Sequence, residues 1–185
     1  HRVDRRQRQM CIRDRADVVV TEAGFGADLG AEKFTDIASV AGDFAADVAV
    51  IVVTARSLKY NGGVARGDLN DENVEAVRSG LANVERHCAS LWRLGMQPIV
   101  AVNKFVTDTD AELAAIKEWA DDHGLRVAVA NVWGEGGAGA ADLVTQVREA
   151  LADDPVRTDT SQSGAARTRI YDPQEGVEAS IATIA

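Results

Sequence analysis

The sequence predicts an α/β fold with a mainly parallel sheet and crossover helices. Three apolar runs rich in Val and Ile, at 47–54, 98–103 and 126–132, alternate with amphipathic segments of helical length. Continuous apolar runs are typical of strands buried on both faces of a parallel sheet, and the alternation places a helix after each strand. An earlier β-branched run, A-D-V-V-V-T at 16–21, predicts one further strand.

Helices are predicted from apolar spacing and end signals. Apolar residues three or four apart predict one long helix within 69–95. A Thr or Asp cap predicts a second helix within 107–124, ending at a glycine, and a third is predicted across about 139–152. Trp92 and Trp119 fall on faces of these helices and are predicted to be packing residues.

Composition narrows the class of protein. The 185 residues are 46% apolar and 26% charged, which predicts a single globular domain with no membrane partner. The net charge of -9 argues against binding to nucleic acid, which requires a basic surface. Cys11 and Cys88 match no metal spacing and form no disulfide framework, so a reducing cytoplasm is predicted.

Three regions are predicted along the chain. Residues 1–15 carry six arginines against two aspartates and lack a signal-peptide pattern, which predicts a non-native leader; a basic tail for an acidic partner is the alternative. Residues 16–155 are predicted to form the α/β domain portion. Residues 156–185 read as a polar linker followed by the start of a further helix. That helical pattern ends without a cap, so truncation at both ends is expected.

Four segments follow predicted strands and would share the carboxyl edge of a parallel sheet, where α/β proteins bind ligands. These segments are 23–30, 55–63, 103–109 and 133–139. They contain glycines, flat rings and three cations, namely Arg56, Lys59 and Lys104. This inventory suits a ligand with both anionic and flat groups.

Phe105 and Trp133 are the rings at this edge. Each comes just after a predicted strand, and Trp133 precedes a glycine run that offers an indole little to pack against. The two rings could hold a flat heterocycle by offset stacking, which contributes about 0.5–1.5 kcal/mol per contact beyond area burial. The alternative is that both rings pack against the edge of the core.

The glycine loop A-G-F-G-A-D-L-G at 23–30 does not match a known phosphate fingerprint. Its G-x-G-x-x-x-G spacing is one residue longer than the dinucleotide motif, and no G-K-[ST] follows. With no acidic residue ending the next strand, a dehydrogenase is disfavoured. The loop is predicted to be either a tight turn or a wall that a ligand approaches closely.

Other polar residues suggest no catalytic or metal site. Asp108, Asp110 and Glu112 lie where helix capping explains them more simply than a metal or an acid/base pair. His87 and His123 have no partner at ligand spacing. No nucleophile and base can be paired, so no catalytic residue and no metal ligand is assigned.

Taken together, several blocks resemble the formate–tetrahydrofolate ligase family, in the family's order and from about Ala16 to the last residue. They are E-A-G-F-G-A-D-L-G, T-A-R-S-L-K-Y-N-G-G, N-K-F-V-T-D-T-D-A-E, V-W-G-E-G-G-A-G-A and Y-D-P-Q-E-G-V-E-A-S-I-A-T-I-A. The chain would correspond to roughly the middle third of a full-length enzyme. The resemblance implies an incomplete, P-loop NTPase-like layered architecture.

The resemblance also implies an activity and its substrates. In this family, ATP phosphorylates formate to formyl phosphate, and N10 of tetrahydrofolate attacks it to give 10-formyltetrahydrofolate, ADP and phosphate. ATP would act as co-substrate with Mg, and no tightly bound cofactor is implied. The parent enzyme would be a cytoplasmic homo-oligomer. The alternative is a non-catalytic nucleotide- or ligand-binding α/β module.

Site residues follow from the same resemblance. Phe105 and Trp133 would hold the pterin ring between them. The wall of the nucleotide and formyl phosphate region would consist of Glu22, Gly24, Phe25, Gly26 and Gly30. The family's P-loop Lys and its formyl-phosphate Arg would lie upstream, so the chain alone is expected to be inactive. Val106 replaces a common Pro, and K-Y-N-G-G replaces a frequent K-M-H-G-G.

Overall fold

The computed structural model describes residues 15–42, 44–153 and 171–184. Most of the predicted leader and linker therefore lies outside the described residues. The described residues fall into two compact units, the larger within Asp47–Arg157 and the smaller within His1–Ala46 and Thr158–Ala185. Among them, no helix is both long and apolar enough to cross a lipid bilayer.

The larger unit contains a parallel sheet of three strands in chain order. The strands are β1 (Val48–Val53), β2 (Gln97–Asn103) and β3 (Arg126–Ala130). Val53 pairs with Val102 across β1 and β2, and Asn103 pairs with Ala130 across β2 and β3. The predicted α/β fold with a parallel sheet is confirmed.

Helices precede the first strand, separate the strands and follow the last one. They are α1 (Ala27–Lys33), α2 (Ala55–Asn61), α3 (Val74–Arg93), α4 (Asp110–Asp122), α5 (Val132–Glu135), α6 (Ala141–Asp153) and α7 (Val177–Ile184). Short 3-10 turns lie at Arg66–Asp68, Gly136–Ala140 and Pro173–Glu175. The three helices predicted from spacing correspond to α3, α4 and α6. The segment 55–63, for which no helix was predicted, contains α2.

Capping residues fix where these helices begin. Thr54 and Thr109 each form a capping box at the start of α2 and α4, and the Asn73 side chain accepts from the amide of Ala76 at the start of α3. Each cap satisfies amide groups that have no partner inside the helix. Every helix start that follows β1 or β2 is therefore specified locally.

Helices α2 and α3 pack closely because glycines lie at their contact. A Cβ on Gly80 would lie 2.1 Å from the carbonyl oxygen of Leu58, and a Cβ on Gly62 would lie 2.1 Å from that of Ala76. Any side chain at either position would collide with backbone. The core beside this contact is apolar and includes Leu58, Val77, Leu81, Ile99, Val100 and Ile116.

Burial of the strands differs from the expectation in one respect. The middle of β2 is buried on both faces, as the apolar run predicted. In β1, however, Ile51 and Val53 are buried whereas Val50 and Val52 are exposed. β1 is an edge strand of the described sheet and is packed on one face only. Two-sided burial was therefore wrong for β1.

Two further predictions are corrected. Residues 16–21 form no strand; they have no regular secondary structure, and Val18, Val19 and Val20 are exposed. A β-branched run becomes a strand only where another strand supplies a hydrogen-bonded neighbour, and none pairs with it among the described residues. Trp92 is half-exposed rather than packed, whereas the Trp119 ring lies 4.9 Å from that of His123.

The smaller unit is mainly helical. Helix α1 continues through a π-helical segment, Phe34–Ser39, into a last helical turn, Val40–Gly42. The rings of Phe34 and Phe44 meet edge to face with centroids 5.6 Å apart, a favourable geometry for an aromatic pair. Local contacts of this kind stabilise the segment that follows the glycine loop.

Candidate functional site

The candidate site in the larger unit is the carboxyl edge of the sheet. α2 follows β1, the segment 103–109 follows β2, and α5 follows β3. Because the strands are parallel and in register, these three segments emerge at the same edge, as predicted. The fourth predicted segment, 23–30, belongs to the smaller unit.

Phe105 lies in a short turn directly after β2. Its amide donates to Asp108 Oδ2 at 2.8 Å, and the Asp108 amide donates back to the Phe105 carbonyl at 3.1 Å. The Lys104 amide donates to the Ala130 carbonyl at 3.0 Å, which ties the turn to the end of β3. The Phe105 ring is 45% exposed. A defined backbone turn thus presents a half-exposed ring at the edge.

Trp133 lies at the neighbouring strand end. Asn131 anchors the segment: its amide donates to the Gly139 carbonyl at 3.0 Å, and its side chain donates to Glu135 at 2.8 Å. A Cβ on Gly139 would lie 2.2 Å from the Asn131 carbonyl oxygen, so only glycine allows this closure. Trp133 is 90% exposed. Packing against the core edge, one alternative from the sequence, does not hold for this indole.

The glycine loop closes on itself in the smaller unit. Gly26 has φ +82°, and the Gly30 amide donates to its carbonyl at 2.6 Å. A Cβ on Gly30 would lie 1.8 Å from the Gly24 carbonyl oxygen. A turn, one of the two alternatives from the sequence, is present before Ala27, whereas residues 27–30, expected to be loop, form the start of α1. Glycine is required at position 30 because the Gly24 backbone lies against it. Phe25 is fully exposed at its tip, and Glu22 is exposed before it.

One of the three expected cations is not at the surface. The Lys59 side chain has no exposure and lies 2.9 Å from Glu112 Oε1, while its Nζ donates to the Asp71 carbonyl at 3.0 Å. The segment after Thr54 is helical, and Lys59 falls on the buried face of that helix. Lys59 is therefore unavailable to an anionic ligand at this edge. Arg56 remains exposed and donates to Asn70 at 3.0 Å.

Glu112 is a helix cap, as expected, and also the partner of Lys59. Burial raises the pKa of this carboxyl, but hydrogen bonds from the amides of Asn73 and Thr109 and from the Lys59 ammonium outweigh it, so the pKa of Glu112 lies below its usual range. The T-x-x-E pattern in the sequence indicated the cap. No sequence pattern indicated the ion pair, since its partner lies on a different helix.

The described residues at this edge include two exposed rings, Phe105 and Trp133. They contain no group of three or more His, Cys, Asp or Glu side chains that could hold a metal ion. Asp108 and Glu112 are engaged in the turn and the cap.

A parallel sheet, crossover helices and exposed rings at the carboxyl edge define an α/β protein of the class that binds its ligands at that edge. The family model described as formate–tetrahydrofolate ligase matches residues 7–185. The chain therefore belongs to the formate–tetrahydrofolate ligase family.

Curated relatives agree with this assignment. The formate–tetrahydrofolate ligase of Staphylococcus carnosus is 53% identical over 136 residues, which cover 74% of this chain and 24% of that protein. The Corynebacterium diphtheriae ligase is 47% identical over 169 residues, covering 91% of this chain and 29% of that protein. A Staphylococcus aureus ligase is 50% identical over 139 residues, which cover 75% of this chain and 25% of that protein. The chain thus spans about a quarter of the length of these relatives.

Proposed function

We propose that this chain supplies the folate-stacking surface, and part of the nucleotide-facing wall, of an ATP-dependent formate–tetrahydrofolate ligase. The observation that carries the proposal is the exposure of Phe105 and Trp133 at neighbouring strand ends in a member of this family. A 90% exposed indole on a closed backbone segment presents a flat apolar face on which a flat ligand can stack. The pterin of tetrahydrofolate is such a ligand.

The proposed reaction has two steps. A formate oxygen attacks the γ-phosphorus of ATP, releasing ADP and leaving formyl phosphate. N10 of tetrahydrofolate then attacks the formyl carbon, phosphate leaves, and N10 loses its proton to give 10-formyltetrahydrofolate. Catalysis of this kind depends on positioning and on charge neutralisation rather than on a protein nucleophile. Phe105 and Trp133 would contribute by fixing the pterin and hence N10.

The nucleotide and formyl phosphate wall is the second part of the proposal. It comprises Glu22, Gly24, Phe25, Gly26 and Gly30. The turn at Gly26 leaves backbone without side chains beside an exposed Phe25, which suits close approach by a ligand. Because the loop has no Lys and hydroxyl pair, it would line a phosphate site rather than grip the phosphate.

We assign no complete site for ATP and Mg to the described residues. A triphosphate needs cationic donors, and Lys59 is committed to Glu112. Mg in a nucleotide site takes one or two carboxylates together with substrate phosphates, and no described carboxylate is assigned to it. Phosphoryl transfer is assigned to none of the described residues. We expect the 185-residue chain alone to be inactive and the complete enzyme to work as a cytoplasmic homo-oligomer.

Substitution of the rings tests the stacking proposal. We define the completed chain as this chain extended to full length with the flanking sequence of the Staphylococcus carnosus relative. Phe105→Ala and Trp133→Ala should each weaken tetrahydrofolate binding by the completed chain about tenfold, measured by equilibrium dialysis. Trp92→Ala is the matched control because Trp92 is also exposed but lies on α3. Unchanged folate affinity in both ring variants would contradict the stacking proposal.

Turnover distinguishes the ligase from a non-catalytic binding module. The completed chain should form 10-formyltetrahydrofolate only when ATP and formate are both present. The 185-residue chain should form none under the same conditions. Folate binding without turnover by the completed chain would favour the binding module, and turnover by the 185-residue chain would contradict the expected inactivity.

A further inference from the structure

The buried pair Lys59–Glu112 is the largest polar feature of the core that the proposed reaction does not use. Neither side chain has any exposure, and their charged atoms are 2.9 Å apart. An ion pair inside a core contributes little net stability relative to apolar residues of the same volume, since both charges lose their hydration. A pair of this kind is therefore better explained by the geometry that it imposes.

The pair joins three elements at the carboxyl edge of the sheet. Glu112 Oε1 accepts from Lys59 and from the Asn73 amide at 3.0 Å, and Lys59 also donates to the Asp71 carbonyl. Lys59 lies on α2, which follows β1, and Glu112 on α4, which follows β2. Asp71 and Asn73 precede α3. The start of α4 is thus fixed relative to two other helices.

The same carboxylate reaches the turn that carries Phe105. Glu112 Oε2 accepts from the Thr109 amide at 3.2 Å, and Thr109 directly follows Asp108, which closes the Phe105 turn with two hydrogen bonds. The Phe105 ring is half-exposed, so its position depends mainly on this backbone. A shift of Glu112 would be transmitted to the ring through Thr109 and Asp108.

We infer that Lys59 and Glu112 are positioning residues that hold the Phe105 ring at the place where it stacks on folate. The inference rests on the proposed function, because it gives the pair a purpose only if Phe105 contacts the pterin. Stacking depends on ring separation and offset, and small displacements of positioning groups lower affinity and rate strongly. Removing the pair should therefore weaken the binding of tetrahydrofolate more than the binding of ATP or formate.

The test uses the completed chain with the apolar double variant Lys59→Met/Glu112→Leu. This variant leaves no charge unpaired in the core, so it should be less destabilised than Lys59→Met alone, although the Asn73 and Thr109 amides and the Asp71 carbonyl lose their partners. The control is Arg78→Met/Glu118→Leu. It removes an ion pair that is exposed at the surface and joins α3 to α4. Circular dichroism and thermal melting establish that both variants are folded.

The expected result is a rise of about tenfold or more in KM for tetrahydrofolate, with KM for ATP and formate unchanged. Hydrogen exchange at the Phe105 amide should also become faster, although its acceptor Asp108 is not substituted. The Arg78/Glu118 control should show neither change. A role confined to stability would lower the melting temperature without this selective effect on folate.

One outcome would overturn the inference and leave the proposed function standing. In it, Phe105→Ala raises the KM for tetrahydrofolate, but the folded double variant does not. If Phe105→Ala itself has no effect on folate, the stacking proposal fails, and the positioning role fails with it. The separate Phe105 variant therefore shows which of the two statements is wrong.

Discussion

Replacement of Lys59 by Met should destabilise the chain far more than loss of a surface charge. The substitution leaves the fully buried Glu112 without its cation and removes the donor to the Asp71 carbonyl. Removing one partner of a buried ion pair costs about 3–5 kcal/mol in the free energy of unfolding. An exposed pair such as Arg78–Glu118 contributes about 0–1 kcal/mol.

Urea denaturation followed by circular dichroism measures these differences. Lys59→Met should lose about 3–5 kcal/mol or fail to fold, and Arg78→Met about 1 kcal/mol at most. Lys59→Met/Glu112→Leu should recover part of the stability, because no charge stays unpaired although the Asn73 and Thr109 amides and the Asp71 carbonyl lose their partners. This recovery distinguishes the cost of an unpaired buried charge, which the double variant lacks, from the cost of a cavity. If Lys59→Met costs no more than Arg78→Met, the reasoning about the buried pair is refuted.

The pH dependence gives an independent check on Glu112. The pKa of Glu112 is lower in the folded chain than the unperturbed value of 4.5. Between the folded and the unfolded pKa, the unfolded chain therefore binds more protons than the folded chain. The resulting stability is present above the unfolded pKa and is lost as the pH falls through the folded pKa. Glu112→Gln removes this contribution, so the stability difference between the native chain and the variant should be larger at about pH 7 than at about pH 3. A constant difference would contradict the lowered pKa.

Three further outcomes are expected. Trp133→Ala should change the free energy of unfolding by no more than about 0.5 kcal/mol, measured by urea denaturation, because the indole is 90% exposed. Gly30→Ala should open the glycine loop to limited proteolysis, since its Cβ would lie 1.8 Å from a carbonyl oxygen, whereas Gly67→Ala meets nothing within 4 Å and should not. In a Cys11→Ser background, Cys88 should resist thiol reagents at about pH 8, because burial and the nearby Glu85 carboxylate raise its pKa to about 11; rapid labelling of the folded chain would contradict this.

The parallel sheet, the three longer helices and the exposed ring positions were predictable because each has a local signal. Periodicity identifies a helix face, a Thr-x-x-Glu pattern identifies the start of α4, and a ring placed just after a strand falls at the sheet edge. Phe105 and Trp133 could therefore be selected before any coordinates were known. Their role in folate binding came from the family resemblance and remains a proposal.

Other features were not predictable because they depend on neighbours distant in sequence. The run at 16–21 has strand composition but no described strand to pair with, and β1 is exposed on one face because nothing described packs there. Lys59 was predicted to be an available cation, but the helix after Thr54 places it on a buried face. Composition does not reveal which side of a segment will be covered.

The sequence by itself determined the fold class, the start of α4, and the family to which the chain belongs, since all of these follow from local patterns and ordered motifs. Only the tertiary structure decided that Lys59 is buried against Glu112 and that Gly30 lies against the Gly24 backbone. Pairing of charges and close backbone approach are set by three-dimensional packing. For that reason the contacts that define the Phe105 turn became visible only in the folded chain.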